Sequence, residues 1–451
     1  MPNTYLTKTF SGGSDSDKNF TISFWFKCAS HDRADDENLY LSYYDGSNRF
    51  GIATAGNDRL KIENMAGASY TMRFITNRLF RDTNAWYHLV CRAETNALAQ
   101  EDRFKIYING VQETSFSTAT YIGQNGVLNA PNSSYPTTIG AWNGGSQSWN
   151  GSMSHFHICD GYSYDASYFG ETDSTTGEWK IKTSPSVSYG TNGFWILKDG
   201  NTITDSSPNS NNYTVGGGTL TKTEDCPSNV FATFNPLVKP NDYTLSQGNN
   251  TIAYGSSASR GCCVSNLGMS SGKYYFELKV TASSHAQCQA GLGIVNQSDN
   301  GQLGSYPNHG GADQGVAYYF WDGSKSIGQT GSTYGSAIVN GDIVSCAYDI
   351  DNKALYFRKN SGSWQDSGDP TSGANKTGGI DFSSITDNGF WFINIGDGSG
   401  SNTFTASFNF GNGYFGTTAI TSAGTNASGI GIFEYDVPNG FTALSTKGLN
   451  L

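Results

Sequence analysis

The sequence predicts an all-β protein made of two antiparallel β-sandwiches joined by a short β-connector. Three observations predict it. Apolar residues alternate with polar ones over short runs, and almost no stretch carries a helical period. Only 14% of residues are charged, against roughly 25% in an average globular chain. Aromatics reach 14%, with 26 Tyr and 26 Phe, the opposite of the aromatic-poor composition of disordered chains. At 451 residues the chain is too long for one ordinary core, so two or three domains are expected.

The strands follow in order. TISFWFKC places Ile22, Phe24, Phe26 and Cys28 on one face, and WYHLVCR (86–92) continues the pattern. RFKIYING alternates Phe104, Ile106 and Ile108, then Asn109-Gly110 supplies a tight hairpin turn. MSHFHIC (153–159) closes this first sandwich near residue 165. Residues 166–228 read as a connector that still holds an apolar strand, GFWIL. From 229 a second sandwich begins. SGKYYFELKV (271–280) alternates Tyr274, Phe276, Leu278 and Val280, and AGLGIV, GFWFINIG and FTASFNFG follow.

GDIVSCAYDIDNKALYFRKN (341–360) raises a question of its own, because Asp349, Asp351 and Asn352 stand as in a calcium loop. Such a loop needs Gly at its sixth position and Glu at its twelfth. Counted from Asp349 these are Ala354 and Asn360. The stretch is therefore expected to be a hairpin with a polar turn between two half-buried strands.

These pieces resemble two known families. YLTKTF, FTISFWFK, AWYHLVCRAE, FKIYINGVQ, TTIGAW and GSMSHFHICDGYSYD, in that order, look like a laminin-G/concanavalin A-like jelly roll over 1–165. The G-K-x-Y-x-E strand, the G-D-x-V…D-x-D hairpin and the closing N-F-G resemble a SPRY domain over 229–411. Residues 412–451 would then pack on the SPRY-like domain. FGETD…G-x-W-x-x-K and DCPSNVFATFNPL resemble segments of virion proteins from tailed phages of marine bacteria. The least matched stretches, 28–75 and 296–335, read as loop-rich.

Chemistry is hard to find. GMSSG (268–272) has the G-x-S-x-G spacing of a nucleophile elbow, which requires a following helix, but the strand KYYFELKV follows. His155 and His157 share a strand face with Cys159 as the obvious third ligand, and read as an exposed or partly packed pair. Glu171 and Asp173 come nearest to a glycosidase acid run, with Thr176 where a third acid belongs. The eight cysteines show no C-x-x-C pair and read as buried free thiols. No catalytic residue is assigned and no enzyme is expected.

Binding residues are sought among loop aromatics, since Trp and Tyr stack on sugars and anchor partners. The candidates are Tyr43, Tyr44, Trp142, Trp149, Tyr319, Trp321 and Trp364. No metal is assigned; Asp32, Asp35, Asp36 and Asp45 form an acid-rich region whose default reading is solvated, with one Ca²⁺ as its alternative. A net charge of −11 disfavours nucleic acid and anionic membrane. No apolar run approaches the roughly 20 residues that span a bilayer. MPNTYLTKTFSGG lacks an apolar core, so no signal peptide is expected.

The resemblance implies a non-enzymatic virion structural protein, a tail fibre or a capsid or tail appendage, made in the host cytoplasm. Its partners would be other virion proteins, further copies of itself and a host surface glycan. A receptor-binding lectin proper and a polysaccharide depolymerase are the alternatives.

Overall fold

A computed structural model describes residues 4–31, 36–130, 136–198, 202–255, 261–285, 290–296, 315–327, 330–386, 389–397 and 402–450. The chain divides into two compact units: Met1–Lys222 with Cys226–Ser228, and Thr223–Asp225 with Asn229–Leu451. Each is an antiparallel β-sandwich, as the alternating sequence demands. Among the described residues no helix is long and apolar enough to cross a membrane.

In the first unit an eight-stranded sheet runs in the spatial order Phe116–Thr120, Ser69–Thr76, Arg59–Ala66, Asn48–Ala55, Asn38–Asp45, Thr137–Ile139, Tyr5–Lys8 and Thr214–Gly217. A six-stranded sheet faces it: Phe194–Ile196, Gly151–Asp160, Asn19–Cys28, Trp86–Glu94, Phe104–Ile108 and Val111–Gln112. Between them lies the core. Phe20, Ile22, Phe24 and Phe26 enter it from one sheet, and Phe50, Ile52, Leu60, Ile62, Met72 and Phe74 from the other. Phe24 and Phe156 stack with centroids 4.6 Å apart, a favourable offset geometry between neighbouring strands.

Two sequence expectations are revised here. The stretch 28–75, expected to be loop-rich, contains four strands of eight residues each, Asn38–Asp45, Asn48–Ala55, Arg59–Ala66 and Ser69–Thr76. Tight turns join them, and the alternation is blurred where Leu39, Tyr40 and Leu41 are all buried and where Gly51, Ala53 and Ala55 take outward positions. The connector segment is itself woven into the first unit. Phe194–Ile196 pairs with Gly151–Asp160, and Thr214–Gly217 pairs with Tyr5–Lys8. Gly170–Thr172 and Trp179–Ile181 form a separate hairpin.

In the second unit Lys273–Ser283 is central, pairing with Ile343–Asp349 and Phe404–Asn409. Thr442–Ala443 adds to it in parallel. The facing sheet includes Cys262–Met269, Trp391–Asp397 and Ala290–Asn296. Phe276, Leu278, Val344, Cys346, Tyr348 and Trp391 are among the side chains that fill the core. Phe433, Val437, Phe441 and Ala443 cover the other face of the central strands, against Tyr275 and Tyr356.

The 341–360 stretch is a hairpin, Ile343–Asp349 against Ala354–Lys359. Asp349 is buried, accepts the Asn352 N–H at 2.9 Å and pairs with Lys273 at 3.0 Å. Asp351 accepts the Gly272 N–H at 2.7 Å. Both carboxylates are turn fasteners.

Candidate functional site

The first unit carries a groove on the sheet face turned away from the core. Its origin is local: in RLKIENMA, Leu60 and Ile62 point inward, so Arg59, Lys61 and Glu63 must point out. The register then assembles rows across strands. Gly51, Glu63 and Arg73 lie side by side, as do Ala53, Lys61 and Ile75, while Ala55 stands opposite Arg59. Small residues on Asn48–Ala55 leave the floor low, and a cavity of about 410 Å³ remains above it.

Trp142, brought in by the loop after Thr137–Ile139, closes one end of this groove. Tyr43 meets its ring edge-on with centroids 5.3 Å apart, and the Arg49 guanidinium sits 5.2 Å above the indole. Arg49 pairs with Glu63 at 2.9 Å, and Arg73 Nε stands 3.5 Å from the other Glu63 oxygen. Arg73 also lies over the ring of Tyr70 at 4.3 Å. Lys61 pairs with Asp36. Two aromatic rings and six charged side chains thus converge in one concavity.

The sequence candidates divide. Tyr43 and Trp142 are brought together at this groove. Trp149 is not with them: it packs against the core, edge-on to Phe26 at 5.9 Å. The Tyr44 side chain lies outside the described residues. In the second unit Tyr319 and Trp321 stack on each other at 4.3 Å. Trp364 lies under Arg358 at 4.8 Å, beside a cavity of about 300 Å³ that Asp369 and Asp436 also line.

The acid-rich region is partly committed to the fold. Asp45 accepts the backbone N–H groups of Ser47 and Asn48 at 2.7 and 2.8 Å, which caps the turn into Asn48–Ala55 and lowers its pKa. Asp36 holds Lys61. Asp32 and Asp35 lie outside the described residues. Among the described residues no group of three or more His, Cys, Asp or Glu is placed to hold a metal.

His155 and His157, expected to be exposed or partly packed, are fully buried, at 1% and 2% exposure. A register shift between Ser154 and His157, with His155 at φ 48°, turns this part of the strand beneath Trp195 and Phe169. His157 bonds Tyr189 Oη at 3.0 Å, and burial pushes its pKa well below the usual value. Glu171 and Asp173 share Lys180, at 3.5 and 3.2 Å. Backbone N–H groups of Thr176 and Thr175 hold the Asp173 carboxyl down to about 2, the wrong direction for a general acid. Cys91, Cys159, Cys263 and Cys346 are buried free thiols; Cys28 and Cys262 are also buried, Cys226 is half-buried, and Cys288 lies outside the described residues.

The arrangement can be set beside known proteins. Residues 3–166 match the laminin-G model of the concanavalin A-like lectin/glucanases superfamily, and residues 273–380 match the SPRY domain. The chain carries a concanavalin A-like domain and a SPRY domain. The groove belongs to the first, and Trp364 and Arg358 belong to the second. A dual specificity protein kinase, splA of Dictyostelium discoideum, is 33% identical over 138 residues, which is 30% of this chain and 5% of that protein. The chain thus spans a small fraction of this curated relative. Similar solved chains include the SPRY domain of human HERC1, 15% identical with a TM-score of 0.31, covering 39% of this chain and 96% of that one. The TRIM65 PSpry domain is 12% identical, with a TM-score of 0.29 and coverage of 40% and 88%. Stonustoxin is 14% identical, with a TM-score of 0.27 and coverage of 41% and 27%.

Proposed function

We propose that the chain is a non-enzymatic binding protein of a phage particle, a tail fibre or a head or tail appendage. In this reading it docks on other virion proteins, in several copies, and holds a host surface glycan. The observation that carries the glycan part is the groove of the concanavalin A-like domain, where Trp142 offers an aromatic face beside fixed polar groups. Sugars are held by this combination, a ring face against an aromatic and hydroxyls against charged side chains. The phage part rests on the resemblance of FGETD…G-x-W-x-x-K and DCPSNVFATFNPL to virion proteins. The protein would then be made in a host cytoplasm and work on the particle, without nucleic acid or membrane insertion.

Glycan-array binding of the whole chain, with and without Trp142→Ala, tests the first part. A loss of at least tenfold in the variant is expected, with no reducing ends released from any retained polysaccharide. Mass spectrometry of purified particles tests the second, and requires stoichiometric copies. Absence from particles together with an empty array would sink the reading.

A further inference from the structure

We infer that the groove of the concanavalin A-like domain takes an acidic glycan, one whose sugars carry carboxylate or sulfate groups. The inference rests on the glycan reading above and narrows it to a chemical class. Its basis is the sign of the groove. In a chain of net charge −11, four cations, Arg49, Arg59, Lys61 and Arg73, face two acids, Asp36 and Glu63. Both acids are already engaged, Glu63 between two arginines and Asp36 by Lys61. Two positive charges are left over, concentrated where the rest of the protein is acidic.

Only part of the donor capacity is used: Arg59 gives Nε to Gly56 O at 3.0 Å and one Nη to Ser117 Oγ at 3.2 Å, leaving its other Nη. The Arg73 side chain makes no hydrogen bond among the described residues; its guanidinium stands over Tyr70 and is ion-paired with Glu63 Oε2 at 3.5 Å. Arg49 gives one Nη to Glu63 and the other to Gly46 O at 2.7 Å, while its Nε is buried without an acceptor. Accessible donors include the Nη atoms of Arg73, whose side chain is 30% exposed. A planar guanidinium fork matches carboxylate and sulfate oxygens in pairs, which a neutral hydroxyl does not.

The spacing suits a chain of sugars. Outward residues along a strand recur about every 7 Å, so the rows headed by Arg49, Gly51, Ala53 and Ala55 extend over roughly 20 Å. Aromatic surface stands at the rim, from Trp142 and from Tyr70, which is 41% exposed. Ring faces can rest on these while acidic substituents reach the cations between. Nucleic acid is the less favoured polyanion, since a chain this acidic repels a long phosphate backbone outside the groove.

The test is calorimetric titration of the full chain with polygalacturonate, dextran sulfate, neutral dextran and single-stranded DNA, at low and physiological salt. Binding of polygalacturonate or dextran sulfate is expected, which tells carboxylate from sulfate, and it should weaken as salt rises. Arg73→Gln and, separately, Arg59→Gln on the groove rim should each cost about tenfold, with melting temperature unchanged. Equal binding of neutral dextran would overturn the acidic class and leave the glycan reading standing. DNA binding as tight as the acidic glycans, or arginine variants that bind them normally, would overturn it too. No binding of any polysaccharide would remove both readings.

Discussion

The indole N–H of Trp179 donates to Nδ1 of His88 across 3.0 Å. Because indole is a donor only, His88 must carry its proton on Nε2, which faces Ser23 Oγ at 2.9 Å. The Trp179 ring also lies against Gly110 and Gly170, where a methyl group would meet it at 2.4 Å. This explains the FGETD…G-x-W-x-x-K phrase as a clasp: its glycine makes room for its tryptophan, and the tryptophan seals the outer face of the six-stranded sheet.

Trp179→Ala should therefore cost about 2–4 kcal/mol, somewhat below a fully buried tryptophan. Gly170→Ala should cost a comparable amount by pushing the ring out. Urea unfolding of each variant, followed by tryptophan fluorescence, measures both.

The same histidine makes the first domain sensitive to acid. Burial, and then the neighbouring His155, holds the His88 pKa down to about 3, against 6.5 in an exposed ring. Below pH 6.5 the unfolded chain takes up a proton that the folded chain refuses. Stability should fall steadily from about pH 6.5 toward pH 3, by about 1.4 kcal/mol per pH unit for a group fully out of balance. Urea midpoints at pH 7 and pH 4.5 should show the drop. In His88→Gln, less stable at pH 7, the difference between the two pH values should shrink.

In the second unit Glu277, the acid of the G-K-x-Y-x-E strand, fastens the C-terminal segment. It accepts the N–H groups of Glu434 and Tyr435 at 2.8 and 2.9 Å, and the Tyr275 hydroxyl at 2.8 Å. Burial raises its pKa against the pull of these bonds. Glu277→Ala should lose about 3 kcal/mol, because the buried Tyr275 hydroxyl and the part-buried N–H groups of Glu434 and Tyr435 lose their acceptor. Glu277→Gln, which keeps an acceptor oxygen, should lose less. Hydrogen exchange at residues 433–437 should quicken in the alanine variant before the core does; uniform protection would refute the clasp.

Asp45 offers a check on calcium. Its carboxylate caps a turn, so Asp45→Ala should lower the melting temperature slightly, as for loss of a capping oxygen. That drop should be the same with calcium and with chelator. A calcium-dependent melting shift that Asp45→Ala abolishes would make Asp45 a ligand.

The all-β fold, the two sandwiches and the 341–360 hairpin were legible because side-chain alternation is written residue by residue along each strand. The burial of His155 and His157 was not, since a register shift inside one strand decides which side its neighbours cover. Nor was the groove above RLKIENMA visible, because which outward charges of neighbouring strands stand beside Arg59, Lys61 and Glu63 is set by the pairing register.

What the sequence by itself determined is the strand pattern, the acidic balance and the two domain resemblances, all local or additive properties. The groove was decided by tertiary structure alone. Arg49, Glu63, Arg73 and Trp142 come from separate parts of the chain, and only the pairing register sets them in one concavity. Register depends on which faces are buried together, so an arginine's neighbours across the sheet exist only once the sandwich has closed.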